Sequence, residues 1–480
     1  MILFLLYKNL LPADDGGFEI GAYRNKICQT PNIDALAQQS VIFNNAFTSV
    51  SSCSPSRAAL LTGTPSHQNG MYGLHQGVHH FNSFENVTSL PNLLRQYGVM
   101  TGIIGKKHVG PKAVYEFDYE QTEENNHINQ VGRNITHIKL LAKEFLQKAN
   151  EANKPFLLYI AFHDPHRCGH SEPQFGTFCE RFGSGEEGMG VTHITILGPT
   201  VGETKLDLIY YTTMSRLDQG VGLVLKELEA AGRVGDTLVV YTSDNGIPFP
   251  AGRTNLYDPG LREPLLVSSP LPGARRNQLS GVMTSSLDIV PTVLDWFRLA
   301  APETNRIDDT PYTKSLLPIL EREPPAREEE AVFASQTHHE ITMYYPMRAV
   351  RTRRYKLIHN LNFGMPFPID QDLYVSPTFQ DILNRTRSKQ SLPWYKTLKQ
   401  YYYRPQWELY DIRSDPMESV NLHGKPSLKA TEDSLRSRLR EWQRATGDPW
   451  LCAPAGVLEG PPGVAVCMSL DNGLLEYYPR

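Results

Sequence analysis

Short uninterrupted apolar runs punctuate the first two thirds of the chain, each the length of a strand buried on both faces: Ile2 to Leu6 or Leu11, Gly98 to Ile104, Phe156 to Phe162 and Thr237 to Thr242. Between them, apolar positions recur at helical spacing. Thr30-Pro31 opens one helix with a capping residue and a proline at its first position, and Ser89 to Tyr97 forms a second that Gly98 closes. His137 to Ala149, Leu217 to Ala231 and Ser286 to Phe297 carry three more. Strands that alternate with helices predict an α/β fold, a large mixed and mostly parallel sheet sandwiched by helices. From about Met347 the pattern shifts to short β-rich pieces, Arg348 to Ile358 and Trp407 to Tyr410, separated by Pro, Asn and Asp turns. This predicts a smaller antiparallel C-terminal subdomain at 341–480, after a larger domain at 1–340, with the acidic, proline-bearing stretch Glu321 to Glu330 as the connection.

Composition narrows the partners. A chain of 480 residues that is 40% apolar can fill two cores. Its 47 basic and 51 acidic residues leave a net charge of −4, which offers no global field for nucleic acid or anionic membranes. The longest apolar run, Met1 to Tyr7, falls far short of the roughly 20 residues a membrane span needs. It also lacks the basic flank and small-residue cleavage site of a secretion signal, so it reads as a strand and any signal is expected to be missing from this sequence. A secretory route is nevertheless indicated by N-x-S/T sequons at Asn86, Asn134 and Asn384, with the close cysteine pairs Cys168/Cys179 and Cys452/Cys467. Cys28 is left unmatched.

Polar clusters follow the predicted strands. Asp14-Asp15 follows the first, Lys106-Lys107-His108 the second, His163-Asp164-Pro165-His166 the third and Ser243-Asp244-Asn245 the fourth. Ligands of open parallel sheets bind beyond the carboxyl ends of the strands, so four clusters converge on one edge. Asp14, Asp15, Asp244 and Asn245 are oxygen donors that suit a hard divalent cation such as calcium better than zinc. Taken singly, Asp-Asp-Gly and Asp-Asn-Gly are ordinary turn sequences. Both ending strands of one sheet favours the metal.

The most specific signal is Cys53-Ser54-Pro55-Ser56-Arg57, followed by Leu61-Thr62-Gly63, with Gly105-Lys106-Lys107-His108 downstream. The first run resembles the C-x-P-x-R signature of the type I sulfatases and the second resembles that family's second signature. The resemblance implies an alkaline phosphatase-like fold and oxidation of Cys53 to a formylglycine by the formylglycine-generating enzyme. It also implies one calcium ion at Asp14, Asp15, Asp244 and Asn245 beside residue 53. Arg57, Lys106, His108, His166 and Arg253 fall to sulfate binding or proton transfer, and Cys168–Cys179 and Cys452–Cys467 to disulfides. A formylglycine hydrate has two hydroxyls on one carbon, one to attack sulfur and one to expel sulfate by re-forming the aldehyde. Arg57 and Lys106 would neutralise sulfuryl charge, and a histidine would protonate the leaving group in an acidic compartment.

Further segments, among them Gln68 to Gly77, Tyr241 to Tyr257 and Tyr401 to Asp411, resemble the lysosomal branch that desulfates heparan sulfate. That branch implies a lysosomal homodimer removing N-linked sulfate from non-reducing terminal N-sulfoglucosamine of heparan sulfate or heparin oligosaccharides. A glycosaminoglycan O-sulfatase shares the core chemistry, and an inactive glycan-binding relative is the reading from another class. Departures lie at Pro12, which removes a ladder donor just before Asp14, at Val191 to Lys205, and after Pro454. His338-His339-Glu340 reads as an exposed polar turn before a pocket wall, and His75, His79 and His80 as non-catalytic. Tyr401 to Tyr403 with Trp407 reads as packing, and the basic run Arg351 to Lys356 as a solvated face.

Overall fold

The computed structural model describes residues 7–124, 131–166, 205–299, 312–392, 394–460 and 464–470. Eight strands form the main sheet: β1 (Tyr7–Ala13), β2 (Val41–Phe47), β3 (Met100–Gly105), β4 (Tyr119–Thr122), β5 (Phe156–Ala161), β6 (Thr237–Ser243), β7 (Leu265–Ser268) and β8 (Gln278–Ser285). Their order is β4-β3-β5-β1-β6-β7-β2-β8, parallel except for β7, which runs antiparallel to both its neighbours. The expected α/β fold is therefore present. Successive strand residues feed opposite cores, as the two-residue period requires. Leu11, Leu158 and Ile160 face the helices α1 (Pro31–Gln38), α4 (Ile135–Glu151) and α5 (Lys205–Ala230). Leu10, Leu157 and Tyr159 face α2 (Cys53–Thr62), α3 (Leu90–Gln96) and α6 (Ile289–Trp296).

Four strands were not legible from apolar runs, among them the short edge strand β4 with its Glu120-Gln121. β2 is interrupted by Asn44-Asn45, β7 has only 4 residues, and β8 is diluted by Gln278, Ser280 and Gly281. Pro12 does not break β1. It pairs with Thr242 of β6, and its carbonyl accepts the Phe162 N–H at 3.1 Å, so β1 forfeits only the one donor that Pro12 itself lacks. Asp14 and Asp15 thus leave an intact strand.

A second, antiparallel sheet has the order β12-β11-β10-β9, built from β9 (Ala331–Gln336), β10 (Met347–Thr352), β11 (Tyr355–Asn360) and β12 (Trp407–Asp411). It opens at Ala331, ahead of residue 341, and the run Arg348 to Ile358 is two strands joined by a turn at Arg353-Arg354. Helix α7 (Lys429–Ala445) lays Leu435, Leu439 and Trp442 over Phe333, Val350, Leu357 and Leu409. The basic run is a solvated face only in part: Arg354 is exposed. Arg351 and Lys356 point inward, where Lys356 Nζ meets Glu418 at 2.8 Å and Asp258 more closely, and Arg351 reaches Asp258 at 3.2 Å. A buried lysine and arginine require such partners, and here the partners hold the second sheet against the first. Tyr401 is packed in the core while Tyr403 is 62% exposed.

Cys452 and Cys467 are disulfide-bonded beside the terminal hairpin Gly456–Glu459 and Val466–Ser469. Cys28 is a buried free thiol, and Cys168, Cys179 and most of 191–205 lie outside the described residues. Among the described residues no helix is long and apolar enough to cross a membrane.

His67 joins the two sheets, its Nδ1 3.3 Å from Ser335 Oγ and its Nε2 2.9 Å from Thr446 Oγ1, with its ring edge-on to Trp442. Burial holds its pKa down at about 4, against a partial pull upward from Asp448. A folded value below the unfolded one means that stability is lost as pH falls from about 6.5 towards 4, because only the unfolded chain binds the proton. We expect the stability advantage of the wild type over His67→Gln, measured by urea unfolding, to be about 2 kcal/mol smaller at pH 5 than at pH 7. An advantage that grows on acidification contradicts this.

Candidate active site

Helix α2 delivers its first residue, Cys53, to the carboxyl edge of the main sheet, and Ser52 before it is extended at φ −163° and ψ 136°. All ten residues of α2 are buried, and its small side chains at Ser54, Ser56, Ala58 and Ala59 let it lie flat against the sheet. Gly63 ends it in the left-handed region at φ 69°, where a Cβ would press on Val290 at 3.0 Å.

One turn along α2, Arg57 enters the space between β1 and β6. Its Nη2 lies 3.2 Å from Asp14 and 2.8 Å from Asp244, and its Nη1 donates to the Lys106 carbonyl at 2.8 Å. Lys106 Nζ reaches the other Asp14 oxygen at 2.5 Å. Asp15, at φ 59°, accepts Asn245 Nδ2 at 2.8 Å and Arg253 Nη1 at 2.9 Å. Asp14, Asp15, Arg57, Asp244 and Asn245 are all 0% exposed. Burial alone would push the Asp14 carboxyl up, but Lys106 and Arg57 outweigh it and hold the group well below the usual carboxylate range. Asp244 moves the other way, raised by burial and by Asp14, with Arg57 opposing. Two carboxylates on one guanidinium in a dry site call for another positive charge. Asn245 Oδ1 is buried without a hydrogen-bond partner, and beside it Asp14 Oδ1 and Asp244 Oδ2 face Arg57 Nη2, a hard oxygen donor set that fits a calcium-like cation. Cys53 Sγ lies within 4.8 Å of an oxygen of each of Asp14 and Asp244, and of Asp15 with a ring nitrogen of His166.

Cys53 itself is no thiolate. Burial pushes its thiol well above the ordinary range, only partly opposed by Lys106. His108, at φ 57°, is buried with neither ring nitrogen hydrogen-bonded, and its backbone N–H donates to Glu124 at 2.5 Å. Burial, then the charges of Lys106 and Arg57, push its pKa well down, which favours the neutral ring. His166 Nε2 lies 2.9 Å from Arg253 Nη1, and since arginine can only donate, a neutral His166 carries its proton on Nδ1.

A protein-family model described as Sulfatase matches residues 10–299 of this chain. The chain belongs to the sulfatase family. It is 59% identical over 467 residues to N-sulphoglucosamine sulphohydrolase of Homo sapiens, covering 94% of this chain and 92% of that protein. An ulvan-active sulfatase of Formosa agariphila is 27% identical over 450 residues, covering 91% and 80% of the two chains. Among solved structures, BT4656 in complex with its substrate D-glucosamine-2-N,6-O-disulfate aligns with a TM-score of 0.66 at 21% identity, over 92% of this chain and 98% of that one. This last likeness speaks to the fold alone.

The sulfatase site contains residues to which sequence patterns gave no role. His163 bonds Glu123 through Nδ1 at 2.8 Å and lies 3.7 Å from Asp14 through Nε2. Asp164 holds the turn between the two histidines by gripping Arg133 at 2.7 Å and Arg216 at 2.5 Å. His339 is no exposed turn: it is buried, with Nδ1 2.8 Å from Ser52 Oγ. Asp370 and Asp372 reach Arg253 Nη2 at 3.0 and 3.3 Å. Arg253 is therefore held by carboxylates on two sides. His163 and Asp164 were legible from their place after β5; His339, Asp370 and Asp372 come from loops of the second sheet, and no spacing rule ties them to residue 53. His75 bonds Ser54 Oγ through its backbone N–H at 2.9 Å and Phe81 O through its ring at 2.8 Å, a supporting position.

Arg57→Ala strands Asp14 and Asp244 in the interior, and we expect it to lower the unfolding free energy by about 3–5 kcal/mol in chelator. Calcium should restore part of that loss in the same urea titration. An Arg57→Ala variant as stable as wild type without metal contradicts the charge assignment.

Proposed function

We propose that this sulfatase hydrolyses the N-linked sulfate of non-reducing terminal N-sulfoglucosamine in heparan sulfate, releasing sulfate and a free amine. The observation that carries this reading is the near-full-length identity to the human N-sulphoglucosamine sulphohydrolase, with an intact Cys53-Ser54-Pro55-Ser56-Arg57 run beside the buried oxygen cluster. Asp14, Asp15, Asp244 and Asn245 would hold calcium, which when bound supplies positive charge to sulfuryl oxygens. A formylglycine made from Cys53 by the formylglycine-generating enzyme supplies, as its hydrate, one hydroxyl for attack on sulfur and a second to restore the aldehyde.

The chain's own residues supply the rest. Arg57 and Lys106 hold positive charge against the transferring group in a water-excluded site, where electrostatic stabilisation is worth most. The S–N bond breaks with its electron pair on nitrogen, and that nitrogen needs a proton. His108, whose ring nitrogens the protein leaves unpaired, gains proton affinity when an anionic sulfuryl group binds beside it, and so becomes a donor at acid pH. Arg253 orients His166 by donating to its Nε2.

The same reading places the enzyme in the lysosome, reached by the secretory route as a glycosylated homodimer. Asn86 and Asn384 are exposed, and Asn134 uses only its carbonyl oxygen, accepting the His137 N–H at 3.0 Å at the start of α4, which leaves its amide nitrogen for a glycan.

Sulfate release is the test. With calcium at acid pH, the enzyme should release sulfate from N-sulfoglucosamine and not from 6-O-sulfated N-acetylglucosamine, and Cys53→Ala should abolish release while keeping the fold. Preferential release from the O-sulfated sugar would establish the O-sulfatase reading instead, and binding of heparan oligosaccharides without any release would establish the inactive one. Asp244→Ala should lose bound calcium and turnover together; turnover that survives exhaustive chelation removes the metal from the account.

A further inference from the structure

Asp372 has a position that sulfate attraction does not explain. A pocket that holds an anion gains nothing from a carboxylate at its edge. Yet the Asp372 side chain is 34% exposed there, while Asp370, Arg253 and Asp15 beside it are 2%, 3% and 0% exposed. Its Oδ2 is 3.3 Å from Arg253 Nη2 and 3.9 Å from His166 Nε2. His166 in turn offers a ring nitrogen within 4.8 Å of Cys53 Sγ. Asp372 and the reacting position thus share His166 as a common neighbour, which puts the Asp372 carboxylate within reach of a sugar whose sulfate lies at Cys53. Arg253 does not depend on Asp372, because Asp15 at 2.9 Å and Asp370 at 3.0 Å, both buried, already hold it.

The segment that carries Asp372 is fixed on the site's side by other bonds. Asp370 caps the short helix Gln371–Val375, accepting the Leu373 N–H at 2.7 Å, and the Gln371 N–H donates to Glu340 at 3.1 Å. Glu340 follows His339, which bonds Ser52. A second carboxylate thus stands beside the first, on a wall anchored to the residue before Cys53.

We infer that Asp372 is a specificity-determining residue, whose carboxylate accepts hydrogen bonds from ring hydroxyls of the terminal sugar and turns away sugars bearing an anionic group at that edge. The inference rests on the proposed N-sulfatase reading. An ionised carboxylate accepts on both oxygens, and its bonds to hydroxyls are short and strong. The same charge repels an anion brought against it, so one residue supplies both the attractive and the repulsive element that discrimination needs. Lys106 and Arg57 grip the sulfate, and Asp372 reads the ring that carries it.

The experiment compares wild type with Asp372→Asn and Asp372→Ala on N-sulfoglucosamine and its 3-, 4- and 6-deoxy analogues. We expect KM for the parent sugar to rise about tenfold or more in both variants, with kcat held within about threefold, the signature of lost ground-state binding. Wild type should lose about tenfold in kcat/KM on one deoxy analogue, and Asp372→Ala should no longer distinguish that analogue from the parent. Inhibition by the product glucosamine should weaken in parallel in Asp372→Asn, which keeps the side-chain shape, and thermal midpoints should be unchanged. If KM and the deoxy pattern match wild type, or if kcat falls equally on every sugar because Arg253 and His166 have moved, Asp372 does not read the sugar. A wild type that releases no sulfate from N-sulfoglucosamine removes the reading beneath the inference and the inference with it; turnover with an unaltered KM in the variants removes the inference alone.

Discussion

Everything at this site depends on how the Arg57 guanidinium is shared between Asp14 and Asp244, both fully buried. Two carboxylates that share one guanidinium in a dry interior need further positive charge, which Lys106 supplies to Asp14 and which a cation bound at the cluster would supply to the rest. That constraint explains why Cys53 sits on a wholly buried helix. Arg57 must lie one turn further along the same face, and α2 must approach β1 and β6 closely enough for both carboxylates to reach it. The sequence C-S-P-S-R satisfies both demands with small residues.

The second sheet belongs to the site as much as the first does. Lys356 and Arg351 bury their charges on Asp258 and Glu418, and Asp258 lies just beyond Arg253 in the loop after β6. His339 reaches Ser52, and Asp370 and Asp372 reach Arg253. The chemistry is thus set on the rigid carboxyl edge of a parallel sheet, while the walls come from loops of a separate sheet held in place by buried ion pairs. Such a division lets one reaction serve many sugars, because the walls can change without moving the nucleophile.

Much of this was legible in residue order. Apolar runs at Gly98, Phe156 and Thr237 are strands, and the polar clusters that end them do meet on one edge. Asp14, Asp15, Asp244 and Asn245 were recognisable as one donor set because each pair follows a strand of the same sheet. What pattern could not supply was long-range pairing. β4 and β8 form the two edges of the sheet and carry polar residues, while β2 and β7 lie inside it but are too interrupted or too short for an apolar run to mark them. Arg351 and Lys356 look like surface charge until Asp258 and Glu418 are seen opposite them. Pro12 looks disruptive until its carbonyl is found still bonded to Phe162. Asp370 and Asp372 belong to no motif in the sequence, and only the fold brings them to Arg253.

Cys53, inert as a buried thiol, stands where the proposed formylglycine nucleophile would work. The measurement that addresses it most directly is the mass of the peptide containing Cys53, from protein expressed behind a signal peptide in cells that carry the formylglycine-generating enzyme. The account predicts that the peptide has lost its sulfur and carries an aldehyde that reacts with hydrazides. An intact cysteine in correctly folded, secreted protein would contradict it.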